Sequence, residues 1–277
     1  MGRSTLFQLA YHLIRFSPVI AFLLFGTFPK WITSEEVSVP FTALLICIAA
    51  LIVWGMAEGT VLLWHKARIA QEPEHRRRSR GYLIVTVLIA LLFLPLLYLF
   101  SEKVTQPLFV ALLVALSFRG LSRTAWDQQK GALASGATFL SSFILAALSF
   151  AIFRQNKEVP VTWQALLIST ALASSVLALE LVWNALSAKT LGKKETPLFR
   201  ISLFSGPVIV GTLAFLGELP LCYAGVYLVI PLCHRATQPS TTRGHLDTAD
   251  APKTTVALLA FILLLAACRA YENGWLT

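Results

Sequence analysis

The chain has 277 residues, 56% of them hydrophobic and 13% charged, with a formal net charge of +9 and a mean hydropathy of +0.70. Soluble domains run to about 25% charged and about 45–50% apolar residues. Charges are therefore too few to cover a water-facing surface, which excludes a cytosolic enzyme, a disordered chain and a secreted disulfide scaffold. The positive surplus falls in short clusters between apolar runs, a pattern that suits membrane topogenesis and anionic lipid head groups rather than nucleic acid.

A helix crosses the hydrocarbon core with about 20 apolar residues, and nine segments reach or approach that length. In chain order they are 10–28, 40–64, 82–100, a short one at 105–118, 132–153, 162–184, 200–216, 218–233 and 254–270, the seventh and eighth parted by Gly217-Glu218. The first apolar stretch has no small-residue cleavage site after it and is expected to stay as a helix. The fold expected is all-α, a polytopic membrane helical bundle of about nine transmembrane helices that forms one transmembrane domain over 1–277.

Charge sets the expected orientation. If the N-terminus is cytoplasmic and the segments alternate, 18 of the 23 Lys and Arg residues fall on the inner side and five on the outer. That split predicts a cytoplasmic N-terminus and an outside C-terminus, in a bacterial-type cytoplasmic (inner) membrane. The inner loops are long and basic: 65–81, 119–131, 185–200 and 234–253. They satisfy the positive-inside rule by themselves. They also offer a rim of Lys and Arg suited to an anionic substrate.

Two carboxylates stand out inside the segments, Glu58 in the second and Glu180 in the sixth. A charge inside the membrane is costly, so such residues face the bundle interior and find a polar partner. After Glu58 the positions i+4 and i+8 are Leu62 and Lys66; after Glu180 they are Asn184 and Ala188. Positions four apart share a helix face. The recurrence four segments apart suggests two related halves, about 1–130 and 131–277. Glu58, Glu180 and Asn184 are expected to line one cytoplasm-facing hollow. Lys66, Arg68, Lys193 and Lys194 would offset its charge, and Arg119 and Arg123, in the loop after segment four, would close its rim.

The remaining motifs are silent. Cys47, Cys222, Cys233 and Cys268 form no CxxC pair and read as packing residues. His234 and His245 stand in a polar loop without ligand spacing, and no Walker A, GxSxG or HExxH pattern occurs. Trp54, Trp64, Trp163 and Trp183 near segment ends read as interfacial anchors.

With nine segments and functional helix ends at the second and sixth, the chain resembles the UbiA-type intramembrane prenyltransferase superfamily. AEGTVLLWHKARIAQEPEHRRRSRG stands where that family has its first acidic motif. ELVWNALSAKTLGKKETPLFRI stands at the second, and its Gly192, Lys193, Thr196 and Pro197 match the family's Gly-Lys-x-Thr-x-Pro loop. The opening YHLIRFSPVIAFLL also resembles the family's first segment, and the second half resembles the motif-poor YwiC-like branch. The resemblance implies an isoprenoid diphosphate held through Mg²⁺ by acidic side chains and a lipophilic acceptor. Here only Glu58 remains of the first acidic set, with Glu180 and Asn184 of the second. That is a poor cage for a metal pair, so no metal site and no cofactor is expected, Mg²⁺ entering only if the family mechanism is retained. The function expected is a lipid- or isoprenoid-binding membrane protein, its catalytic activity lost or altered, with membrane lipids and an isoprenoid diphosphate or lipophilic acceptor as partners and no nucleic acid. The alternative is a small transporter or lipid-handling protein without chemistry.

Overall fold

The computed structural model describes residues 14, 77, 81, 84, 114–115, 117–122, 124–126, 130–152, 163–188, 195–238 and 251–272. The first three expected segments thus lie outside the described residues, single positions excepted. Among the described residues the chain is helical, with no strand. Gly131–Ile152 forms α1, Trp163–Ala188 α2 and Glu195–Phe215 α3. A turn leads into a 3-10 helix, Leu221–Val229, which runs directly into α4, Ile230–Ala236, and Ala251–Glu272 forms α5. Residues 117–122 and 124–126 are helical ahead of α1.

Three helices contain stretches long and apolar enough to cross a membrane: Trp163–Val182, Pro197–Phe215 and Ala251–Glu272. The first is central, with 83% of its span buried against 50% for the other two. Apart from Gln164 and Glu180, its span is apolar or small all round, as a core helix should be. Ala165, Ala171, Ala173 and Ala178, all buried, let neighbours approach closely. The hydroxyls of Ser169 and Ser175 return to the carbonyls of Ala165 and Ala171, at 2.8 and 2.9 Å, so these serines carry no unmet polar group into the core.

The outer surfaces are apolar at helical spacing. Leu133 and Leu140, then Ile201, Val208 and Phe215, then Val256 and Leu263 are exposed at seven-residue intervals on α1, α3 and α5. In water such stripes would form a large sticky patch. In hydrocarbon they are the ordinary outer face of a bundle whose backbone groups are satisfied inside each helix.

Two prolines shape the second half of the bundle. Pro207 lies inside α3 and has no N–H to give the carbonyl of Leu203. The Cys233 thiol, on α4, reaches that carbonyl oxygen at 3.7 Å. Pro231, at the start of α4, cannot bond the carbonyl of Tyr227; the N–H of Ile230 takes that oxygen instead, closing a tighter turn. The eighth expected segment is therefore a nine-residue 3-10 helix followed by seven α-helical residues. The looser rise of the 3-10 form, about 2.0 Å per residue against 1.5 Å, stretches this short run to roughly 28 Å, close to the thickness of the hydrocarbon core.

The structure corrects two loops. The expected loop 119–131 is helical at residues 119–122 and 124–126, so Arg119 sits on a helix and not in a connection. The helix continues because its polar groups find partners: Thr124 Oγ1 bonds the Gly120 carbonyl at 3.0 Å, and Ser122 Oγ meets Thr138 Oγ1 of α1 at 2.6 Å. In the expected loop 185–200, residues 185–188 belong to α2 and 195–200 to α3. Pro197 does not break α3, because it stands in the first turn, where a missing N–H costs nothing.

Candidate functional site

Arg119 and Glu180 meet inside the bundle. They are 61 residues apart in the chain, and Arg119 Nη2 donates to Glu180 Oε1 in an ion pair whose side chains are 3% and 2% exposed. Glu180 is carried by the central helix α2, in the run 171–182 where every residue is buried. Arg119 comes from the helical residues before α1. The guanidinium is the cation best suited to a buried carboxylate, since its charge is delocalised and its donors match the acceptor geometry.

The surroundings of the pair are polar at helical spacing. Arg119, Ser122 and Trp126 share one face of their helix. Ser135, Thr138, Ser141 and Ser142, all buried, lie along α1. Ser141 Oγ donates to the Ala115 carbonyl at 2.9 Å, and the Ser122–Thr138 contact completes the seam between the two helices. Two buried groups, Ser135 Oγ and Trp126 Nε1, find no hydrogen-bond partner among the described residues. The seam thus retains an indole donor and a hydroxyl with capacity for a further polar contact.

Of the other residues singled out from sequence, Asn184 is placed on α2 one turn beyond Glu180. Glu58, Lys66, Arg68, Arg123, Lys193 and Lys194 lie outside the described residues, and so does any hollow shared by Glu58 and Glu180. The expectation for Glu180 is a polar partner, with Lys66, Arg68, Lys193 and Lys194 offsetting the charge of the hollow. The structure supplies Arg119, which sequence reasoning had put at the rim; it is buried and lies on a helix.

A second polar cluster occupies the opposite end of the bundle. Gln164 Nε2, at the start of α2, donates to Glu218 Oε2 at 2.8 Å, beside Gly217, whose φ of +76° lets the chain reverse direction there. Glu272, at the end of α5, accepts from Tyr223 Oη and from Arg269 Nη1, each at 2.9 Å. Arg269, one of the five Lys and Arg residues that the expected topology puts on the outer side, is only 1% exposed and so is a buried cation and not a loop charge. Sequence reasoning missed this cluster. The signal was present in AACRAYE, where Arg269 and Glu272 stand at i and i+3 in an apolar segment. Tyr223→Phe removes one donor while leaving Arg269 in place. It is expected to cost about 1 kcal/mol, read as a modest fall in the unfolding midpoint in detergent; no shift at all would show that Tyr223 contributes only its ring.

Among the described residues no group of His, Cys, Asp and Glu side chains could hold a metal ion. Comparison with protein-family models, with curated proteins and with solved structures finds no match for this chain.

Proposed function

We propose that the chain is a nine-span protein of a cytoplasmic-type membrane, N-terminus inside and C-terminus outside, which binds an isoprenoid or similar amphipathic lipid at its inner end in the manner of UbiA-type proteins with altered or lost chemistry. The buried Arg119–Glu180 pair carries the reading. Glu180 stands where the family resemblance puts the first carboxylate of the second metal motif. Its charge is offset here by a guanidinium, which disfavours a divalent cation at the same carboxylate. Lys66, Arg68, Lys193 and Lys194, with Arg123, are then the groups to engage an anionic head directly, and Asn184 adds an amide to the same helix end. Trp126 and Ser135 supply further polar capacity on the seam beside the pair, and the lipid tail lies between apolar helix faces.

The test is mass spectrometry of lipids that co-purify with the protein, before and after a chelating wash. An isoprenoid phosphate or quinone-like amphiphile is expected, retained when divalent cations are removed. Bulk phospholipid alone would favour the alternative, a small transporter, for which a buried charge pair flanked by hydroxyls is also suited. Retention that is lost with chelator and restored by Mg²⁺ would show that the metal role survives on other carboxylates.

A further inference from the structure

At the end of the bundle opposite the Arg119–Glu180 pair, the 3-10 helix and α5 bring two cysteines together. Cys268 Sγ donates to the Cys222 carbonyl at 3.2 Å, which puts the two residues in direct contact. A polar bond lies close by: Tyr223 follows Cys222, Glu272 lies one turn beyond Cys268, and the two are bonded at 2.9 Å. The thiols are therefore held in register by a neighbouring polar bond. Cys222 is half-buried and lines an open depression of about 490 Å³ with Pro220, Leu221, Tyr271 and Glu272, whereas Cys268 is 8% exposed. Cys233 differs: it is 1% exposed and turned to the Leu203 carbonyl.

We propose that Cys222 and Cys268 are a redox-active thiol pair that closes to an intramolecular disulfide, latching the end of α5 to the start of the 3-10 helix. The oxidant is a small or protein disulfide that enters through the depression. The Cys222 thiolate attacks it, forming a mixed disulfide and releasing one thiolate of the oxidant. The Cys268 thiolate then attacks Cys222 Sγ and releases the second. The two protons lost by the cysteines end on the two thiols of the reduced oxidant. The cysteines are 46 positions apart, so the bond closes a loop that runs from the start of the 3-10 helix through α4 to the last turns of α5 and favours the folded bundle.

The test uses the full-length wild-type protein in lipid nanodiscs, reduced, then incubated with oxidised glutathione, alkylated and mapped by peptide mass spectrometry. A Cys222–Cys268 cross-linked peptide is expected, with Cys233 still alkylated and an unfolding midpoint several degrees higher that falls back on adding dithiothreitol. Cys222→Ser and Cys268→Ser should each abolish the cross-link. A glutathione adduct on Cys222 beside a free Cys268, or two free thiols, would overturn the proposal, and neither outcome depends on any variant folding. Alkylation of intact cells before lysis separates the pair from the orientation proposed above. A cross-link already present there places this end in an oxidising compartment. Thiols in cells that cross-link on purification uphold the pair and count against the outside assignment.

Discussion

Glu180→Ala is expected to lower stability by about 3–5 kcal/mol, because it removes one side of an ion pair that lies out of water. Arg119→Met should cost a similar amount by taking the guanidinium away from a buried carboxylate, although protonation of Glu180 would relieve part of that loss. The pair-wise replacement Arg119→Met with Glu180→Leu removes both charges and fills the space with apolar side chains. It should recover most of the loss, since a buried ion pair exchanged for packed hydrophobes is often neutral or better. Reversible unfolding in mixed micelles gives the three free energies and closes the cycle. Single variants that cost under about 1 kcal/mol, or a double variant as unstable as their sum, would mean that the two side chains act independently. The double variant has a second use. If it folds and still retains its co-purified lipid, the pair is structural and the binding contacts lie elsewhere at that end.

Gly211→Val carries the next largest effect. A Cβ at Gly211 would stand 2.6 Å from Cε2 and 2.7 Å from Cζ of the Tyr227 ring. Tyr227 cannot easily swing away, because its hydroxyl meets Thr212 Oγ1 at 3.0 Å and its ring packs on Phe215 at a centroid distance of 5.4 Å. Glycine is therefore what allows the 3-10 helix to lie against α3, as small residues do at membrane helix contacts. Overpacking of this kind costs about 1–3 kcal/mol, occasionally more. Tyr227→Ala in the same chain should restore most of the stability lost by Gly211→Val, since the ring is the obstacle. Gly136→Ala is the internal control. Nothing lies within 4 Å of its added Cβ, so the change should be neutral or stabilising by up to about 1 kcal/mol through helix propensity. Equal losses at Gly136 and Gly211 would point to backbone flexibility and not to the ring.

Composition and hydropathy were enough to establish a helical protein with stretches long and apolar enough to cross a membrane, because a buried or lipid-facing helix must be written in consecutive apolar residues. Expected segments 132–153 and 162–184 correspond to Gly131–Ile152 and Trp163–Ala188 for that reason, and 254–270 to Ala251–Glu272. Helix ends were less legible. RGLSRTAW reads as a connection by its charge and its glycine, yet most of it is helical, because Arg119 and Ser122 find partners on other helices. The run Leu221–Ala236 reads as one more apolar helix, and nothing in its pattern marks the 3-10 form of its first nine residues. Glu180 was recognisable as a residue that needs a polar partner, since desolvation penalises a lone carboxylate whatever the fold. Which residue answers it was not, and neither was the meeting of Cys222 with Cys268 or of Tyr223 with Glu272. Periodicity reports which face of a helix is apolar. Pairings between residues tens of positions apart depend on which helices become neighbours and at what height, and only the packing of α2 against its neighbours, and of α5 against the 3-10 helix, decides that.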